Sequence, residues 1–454
     1  MKTYNEYKEH KEKDLERFIK SAIDEYVGSE DYQWAVDGVN YSTGENTEIK
    51  RYQRILYNVK GQAMIDTYTP NHKIPANFFG VFVRQRAAYV LGNGIEFESK
   101  DKDTKNKLGR GFDHKLLFAG QDALEQAVVY GFWNKDHIEF YPAKEICPIF
   151  DDESGDLKVV IRFWRFQPTS PMRITLFEKE GITEYRTPTS KDSTTKALVK
   201  LKEREPYIKK GVVSDADGKQ YSEGENYSEL PIVPMYANKQ KTSYLKGLKE
   251  KIDDYDLLTS GLVNDADSEF VYWTLKGQGA MNDDITLQQF VEKMRVLKAA
   301  VVGDNEDAVP HSIEPPTNAK LAAKEALRAD LYRDAMALDT EVLKAGNVTA
   351  TQINAAYEPL NEAADEFEDC VIEFMLKLLN IIGIDDYPKF TRSIERNKAE
   401  ETQMVMSAAG VLDNDTIIDK LPFLTPEEKE QVKERISAEQ MNMDNMGMNN
   451  GRRT

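Results

Sequence analysis

The sequence predicts an α+β protein in which a β-rich region lies between two helical regions. Near the N-terminus, Leu15, Phe18 and Ala22 recur at steps of three and four, which is the spacing of one helix face. Residues 137–235 instead form short runs rich in β-branched and aromatic residues, separated by turn residues. Beyond residue 243 the steps of three and four return over much longer stretches, so long helices are expected there.

Composition limits the class of protein. A length of 454 residues allows two to four domains with a sizeable core. No run of eighteen apolar residues occurs, so we expect a soluble chain without a membrane span. The N-terminus is too polar for a secretion signal. Cys147 and Cys370 are too few for a disulfide framework or a thiolate metal site, which fits a reducing cytoplasm.

The first hundred residues are predicted to be mainly helical. Residues 1–60 read as helices, with the second at 49–59 and a loop at 38–44 between them. Residues 77–91, NFFGVFVRQRAAYVL, predict a helix with buried aromatic side chains. The Gly-Asn-Gly sequence at 92–94 then predicts a turn.

The β-rich region is predicted to consist of hairpins. The acidic run at 151–156 has two interpretations, a divalent-cation site or a hairpin turn. The turn is favoured because the oxygen spacing is not that of an EF-hand loop. A second hairpin is centred on Gly181. Residues 187–200 and 212–227 are polar and predict mobile loops.

Two long helices flank a compact insertion. Residues 243–270 form one apolar stripe and would make a rod of roughly 40 Å, which needs neighbours along its whole length. A core helix of an ordinary α/β domain would show the same stripe. A short β run follows at 271–275. The second helix is predicted at 317–338, with Thr317 or Asn318 as its N-cap.

The C-terminal part begins with another break in the helical pattern. Residues 339–350 contain Gly346-Asn347 and β-branched residues, which interrupt the periodicity. Residues 351–383 then alternate threes and fours as in a coiled-coil seam, with Pro359 expected to kink the helix. The last residues, 438–454, lack periodicity and predict disorder.

The sequence offers no catalytic or metal-binding motif. None of the five histidines is paired at metal or catalytic spacing, and the phosphate-loop pattern G-x-x-x-x-G-K-[ST] does not occur. We therefore expect no enzyme activity, cofactor or metal, although a site built from distant segments would escape this reasoning. The formal charge of −18 argues against a protein that grips nucleic acid over a broad surface, but it permits one that DNA passes through.

Four stretches, in the same order along the chain, resemble one known family. They are NHKIPANFFGVFVRQRAAYVLGNGIEF, then PIVP with Asn238 and a helix carrying IDDYD, Ser260 and Asn264, then GNVTATQINAAYEPLNEAADEF, and finally NKAEETQ with GVLDNDT and LPFL. Together they resemble the portal (head-to-tail connector) proteins of tailed phages, of the type found in long-tailed phages of Gram-positive hosts.

The resemblance implies a portal architecture within the α+β class. The implied parts are a peripheral α/β wing at 1–235, a first stem helix at 236–271, a small α/β clip at 272–315, a second stem helix at 316–338, a tunnel loop at 339–350, a long wing helix at 351–383, a helical crown at 384–437 and a disordered tail at 438–454.

The resemblance also implies site residues. The DNA channel would be lined at the tunnel loop by Glu341, Lys344, Asn347 and Thr349, although a lone loop lysine is more often simply solvated. The stem interface between subunits would use Leu248, Ile252, Tyr255, Leu258, Leu321, Leu327 and Leu331. Docking at the clip would use Lys276, Gln278 and Gln288.

The implied function is that of a ring at one capsid vertex. Such a ring, usually of twelve copies, conducts double-stranded DNA during packaging and ejection. Its implied partners are the terminase large subunit, a head-completion adaptor, and the major capsid and scaffolding proteins, with no membrane. The implied location is the virion, after assembly in the host cytoplasm. Two alternatives stay open, another head structural protein such as an adaptor or minor capsid protein, and a nucleic-acid-processing enzyme.

Overall fold

The computed structural model describes most of the chain in two compact units. One unit is Met1–Arg84 with Ala119–Ala335, and the other is Gln85–Phe118 with Met336–Thr454. The described residues are 2–57, 61–67, 69–99, 102–190, 192, 196–214, 220–267, 271–276, 307–312, 315–341, 350–392, 405, 413–421, 429, 431–433 and 435–436.

Helices make up the N-terminal, central and C-terminal parts of the described chain. They are α1 (Tyr4–His10), α2 (Leu15–Val27), α3 (Glu30–Ser42), α4 (Thr47–Arg51), α5 (Phe78–Leu91), α6 (Lys102–Lys107), α7 (Phe112–Gln126), α8 (Lys249–Ala266), α9 (Thr317–Asp334), α10 (Ala350–Ile382) and α11 (Asn414–Lys420). None of these is long and apolar enough to cross a membrane.

The strands form small antiparallel sheets. They are β1 (Ile55–Tyr57), β2 (Ala63–Ile65), β3 (Ile95–Phe97), β4 (Val128–Asn134), β5 (His137–Pro142), β6 (Ile146–Phe150), β7 (Leu157–Trp164), β8 (Arg173–Glu178), β9 (Gly181–Arg186), β10 (Val199–Glu205), β11 (Ile208–Ser214), β12 (Gln220–Glu225), β13 (Ile232–Tyr236), β14 (Val271–Lys276), β15 (Asp307–Ser312) and β16 (Pro388–Phe390). The largest sheet has the order β10-β9-β8-β7-β6, and a second has the order β13-β4-β5.

The large sheet is covered by the N-terminal helices. Phe18, Ile19 and Ile23 of α2 are buried against Ile161 and Leu176 of the sheet in one apolar cluster. The apolar face of α2 and the inward-facing residues of the strands therefore contribute to the same core. At the sheet's edge the acidic run at 151–156 forms the predicted turn, in which the Gly155 N–H donates to the Asp151 carbonyl at 3.1 Å.

One carboxylate lies deep in this region and is neutralised by cations. Glu178 at the end of β8 is buried, and its carboxylate accepts a hydrogen bond from the Tyr7 hydroxyl at 2.6 Å. Lys11 and Arg204 pair with it at 2.6 and 2.9 Å. Because a buried charge is tolerated only when paired, these contacts fix α1 and β10 on the sheet.

The N-terminal predictions needed two corrections. The predicted helix at 49–59 was wrong, because α4 ends at Arg51 and the chain turns into the β1–β2 hairpin, where Gly61 has a φ of +73°. The predicted loop at 38–44 was also wrong, since α3 continues to Ser42. Gly38 lies where α3 meets α7, and a Cβ atom there would be 1.9 Å from the Glu125 carbonyl oxygen.

Later elements brought further corrections. Residues 212–227 are not simply a loop, because β11 pairs with β12, and β10 begins inside the predicted loop 187–200. The helix predicted to start at 243 starts at Lys249, since Gly247 has a φ of +90° that helical residues do not adopt. The second long helix has Pro316 at its N-cap, without a side-chain cap, and ends at Asp334 rather than 338.

The second unit is organised around α10. Its inner face buries Leu360, Phe367, Phe374 and Leu378 at helical spacing, as predicted. The helix continues through Pro359. Further along, β16 pairs with β3, and Asp413 caps α11 by accepting from the Thr416 N–H at 3.0 Å. The predicted disordered tail lies outside the described residues.

Candidate functional site

Helices α8 and α9 form an antiparallel pair that is joined at both ends by ion pairs. Lys251 pairs with Asp334 near one end, and Asp265 pairs with Lys320 at 2.5 Å near the other. The two pairs are separated by fourteen residues on each helix, or about 21 Å at 1.5 Å per residue. The helices therefore run side by side over most of their length.

Aromatic side chains pack against this pair near the end that carries Lys251 and Asp334. Phe78 meets Tyr255 of α8 edge to face, with ring centroids 4.8 Å apart, and also meets Tyr332 of α9 at 6.1 Å. Phe82 adds a contact of 5.2 Å to Tyr332. Edge-to-face geometry brings a positive ring edge to a negative ring face, so the cluster fixes α5 on both helices.

The buried face of α8 is polar. Asp256, Ser260 and Asn264 are all buried, and we call these three residues the polar ladder. They accept hydrogen bonds from the backbone N–H groups of alternate residues in a segment that is neither helix nor strand. The bonds are Ala76 to Asp256 at 2.8 Å, Ile74 to Ser260 at 3.0 Å and His72 to Asn264 at 2.6 Å.

The spacing of the polar ladder follows from chain geometry. Four helical residues advance 6.0 Å along the axis, and two extended residues advance slightly more than that. An extended chain running antiparallel to the helix therefore presents alternate N–H groups to residues four apart. Pro75 lies between two bonded positions, where its missing N–H does no harm, and it restricts Ile74 to extended conformations. Residues 72–76 are called the strap below.

Asn46 extends the polar network to the next helix. Its side-chain nitrogen donates to Asp253 at 2.9 Å and to Asp256 at 2.8 Å, and its oxygen caps α4 by accepting from Glu48 and Ile49. Burial raises the pKa of Asp256 to about 6, and the bonds from Asn46 and Ala76 only partly offset that rise. Burial and the neighbouring Asp253 raise the pKa of Tyr41 well above its usual range.

The predicted stem-interface residues lie mostly inside one chain. Leu248, Ile252 and Leu331 are buried, and Tyr255, Leu258 and Leu327 are half-buried. Leu321 is 50% exposed. The interface assignment stays a prediction, and the structure shows that the buried members already lie in the core of a single chain.

The predicted channel and clip residues are described only in part. Glu341 is exposed, and its N–H donates to Asp339 at 3.0 Å. Lys344, Asn347 and Thr349 lie outside the described residues, as do Gln278 and Gln288. Lys276 is the last residue of β14. Their roles stay predictions. Among the described residues no cluster of His, Cys, Asp and Glu could hold a metal ion.

Sequence reasoning missed the role of the polar ladder and the exposure of Leu257. The sequence predicted an apolar stripe along residues 243–270 and did not predict that the polar residues Asp256 and Asn264 are buried. The step of four from Asp256 to Ser260 to Asn264 was visible in the sequence, but its partners are backbone groups of a segment almost two hundred residues away. Leu257, which is 38% exposed, lies outside the predicted stripe.

The comparisons with known proteins agree with one another. The family described as phage portal protein, SPP1 Gp6-like, matches residues 8–442. The portal protein of Bacillus phage SPP1 is 23% identical over 439 residues, covering 87% of this chain and 81% of that protein. The portal protein of Clostridium phage phiCD119 is 21% identical over 393 residues, covering 78% and 82%.

Solved structures show a weaker likeness. The neck of a native gene transfer agent particle, computed with C12 symmetry, aligns with a TM-score of 0.40 and 10% identity, covering 76% of this chain and 88% of that chain. The virion of a native gene transfer agent particle aligns with a TM-score of 0.39 and 11% identity, covering 74% and 86%.

Proposed function

This chain belongs to the phage portal protein family, SPP1 Gp6-like, and on that premise we propose that it forms a ring at one capsid vertex through which double-stranded DNA enters and leaves the head. Portal proteins are structural components of the virion, so the expected non-enzymatic role is confirmed by family membership. The ring, its twelve copies and its DNA traffic are the parts that we propose.

The single observation that carries the proposal is the extent of the family match. It spans residues 8–442, and the portal protein of Bacillus phage SPP1 is covered over 81% of its length. A shared domain alone would leave long unmatched regions in one of the two chains. The whole plan of a portal is therefore the appropriate hypothesis for this chain.

The geometry of α8 and α9 supports a channel wall. Each helix has eighteen residues, about 27 Å, and the two are fastened to each other at both ends. We propose that this pair is the stem and that copies of it stand side by side around the DNA. The paired strands β14 and β15 lie between the two helices in sequence and would form part of the clip.

The remaining parts follow from their order along the chain. The segment between α9 and α10 would be the tunnel loop, with Glu341, Lys344, Asn347 and Thr349 facing DNA. The clip, with Lys276, Gln278 and Gln288, would dock the terminase large subunit and later the head-completion adaptor. Residues 384–437 would form the crown, and the outer surface would contact capsid and scaffolding proteins during assembly in the host cytoplasm.

The charge of the chain suits a conduit. Each Lys or Arg bound to a phosphate adds affinity and must be released before DNA can advance. With a formal charge of −18, the chain is not expected to hold DNA over a broad basic surface. DNA would then slide past a few loop contacts while a separate ATPase drives it.

The proposal is tested by the mass of the purified chain in solution. Twelve chains of 51.8 kDa predict an assembly of about 620 kDa, without ATP turnover. A mass of one or two chains under all protein and salt concentrations would contradict the ring. Steady ATP hydrolysis by the pure protein would contradict the proposal that a separate ATPase drives the DNA.

A further inference from the structure

The β1–β2 hairpin carries a concentrated group of exposed apolar side chains. Tyr57 is 73% exposed, Ile55 is 58% exposed and Ile65 is 56% exposed, and Leu56 and Met64 are exposed on the other face. The hairpin forms a sheet of only two strands. Because an isolated two-stranded hairpin is marginal in water, exposure of both its faces indicates a surface that another molecule covers.

The hairpin is also basic within an acidic protein. Its described residues, 50–57 and 61–65, which we call the arm, contain Lys50, Arg51 and Arg54 and no acidic residue, whereas the whole chain carries −18. Such an arm is attracted to the surface of a second copy of the same chain. Its large apolar side chains favour a protein partner over DNA, since DNA binding would use the cations alone.

Both ends of the arm are fastened to α8. On one side, Asn46 caps α4 and bonds to Asp253 and Asp256 of α8. On the other side, the arm leads to the strap, which is bonded to the polar ladder. At its base the Asp66 N–H donates to the Arg54 carbonyl at 2.8 Å. Hydrogen bonds to α8 therefore anchor the chain on both sides of the arm.

A matching surface lies on the free side of α8. The polar ladder faces the strap, and the side with Lys251, Tyr255 and Asp265 faces α9. A further side carries Glu250, Asp254, Leu257 and Gly261 at steps of four, three and four, and we call it the free stripe. It combines two exposed carboxylates with an exposed leucine. Gly261 has no side chain, so a neighbouring molecule can approach the helix backbone closely there.

We propose that the arm of one copy docks on the free stripe of α8 in the next copy. Arg51 and Arg54 would pair with Glu250 and Asp254, and the hairpin would cover Leu257. The inference rests on the proposed ring and adds the contact that closes it. An arm and a stripe are different surfaces of the same chain, so the contact is head-to-tail, as a ring requires.

A charge exchange tests the proposal. Variant A is Arg51→Glu with Arg54→Glu, variant B is Glu250→Arg with Asp254→Arg, and variant C combines all four substitutions. The ring fraction should fall at least tenfold in A and in B at fixed protein concentration and low salt, and it should recover in C. Arg51, Glu250 and Asp254 are exposed and Arg54 is half-buried, so circular dichroism and thermal midpoints should remain close to those of the wild type.

Matched controls separate the possible outcomes. Phe166→Ser removes an equally exposed apolar side chain, 81% exposed, far along the sequence from the arm, and should leave the ring intact. Intact rings in A and B would overturn the proposal, as would failure of C to recover, because the arm would then dock elsewhere. Loss of DNA retention by A with intact rings would assign the arm to DNA instead. A wild type that forms no ring at all would refute the proposed function itself.

Discussion

Asp256 has no exposed surface, and its carboxylate accepts hydrogen bonds from the Ala76 N–H and from the Asn46 side chain. Its neighbours in the polar ladder do the same for the strap. At the scale of single residues, the α8 core therefore depends on the satisfaction of buried polar groups as much as on apolar packing.

Asp256→Ala should loosen the strap. The substitution removes the acceptor of the Ala76 N–H and one of the two carboxylate acceptors of the Asn46 side chain, which keeps its bond to Asp253, and it costs about 1–3 kcal/mol of local stability. Hydrogen exchange should accelerate at Ala76 and Ile74. Asp254→Ala, on the exposed side of the same helix, should change neither, and equal effects in both variants would contradict the role of the polar ladder.

The raised pKa of Asp256 predicts a pH dependence. The folded state holds this proton up to about pH 6, whereas an unfolded aspartate loses it near 3.8. Between about pH 4 and pH 6, Asp256 therefore releases a proton when the chain unfolds. The contribution of this group to the free energy of unfolding decreases as the pH rises through this range.

The measurement compares wild type with Asp256→Asn, which cannot ionise. The thermal midpoint of the wild type should rise relative to the variant as pH falls from 7.5 to 5. The titration of other carboxyls, such as the half-buried Glu125, whose pKa burial raises to about 7, is common to both proteins and cancels in this difference. A difference that does not vary with pH would contradict the assignment.

At the scale of elements, periodicity predicted the helices with apolar inner faces and failed where partners are distant. The core face of α10 was readable because every third or fourth residue is apolar. The start of α8 could not be predicted from periodicity, since it is set by the positive φ of Gly247. The β1–β2 hairpin read as a helix because its exposed apolar residues mimic a helix stripe. The polar ladder was hidden because its partners are backbone groups.

Two glycines of the same region should respond to alanine in opposite ways. Gly247→Ala should destabilise the chain by about 1 kcal/mol, because its φ of +90° is unfavourable for any side chain. Gly261→Ala should stabilise α8 by up to about 1 kcal/mol, because only the end of Lys320 lies near a Cβ atom there. Thermal midpoints of the two variants check the signs, and a shared sign would contradict the description of α8.

At the scale of the whole molecule, residues of one predicted interface have different functions. Leu331→Asp places a carboxyl in a fully buried site and should cost more than about 3 kcal/mol, so the chain itself should fail to fold. Leu321→Asp alters a half-exposed position and should leave the chain folded while weakening the ring. Sedimentation and circular dichroism separate the two outcomes. A folded Leu331→Asp chain would place that leucine outside the core.

The central claim is that copies of the α8–α9 pair stand around a channel, and electron-microscope images of the purified wild-type protein test it most directly. We predict end-on views of rings with a central opening wide enough for a DNA duplex. Compact particles without an opening, at every salt and protein concentration tried, would contradict the account.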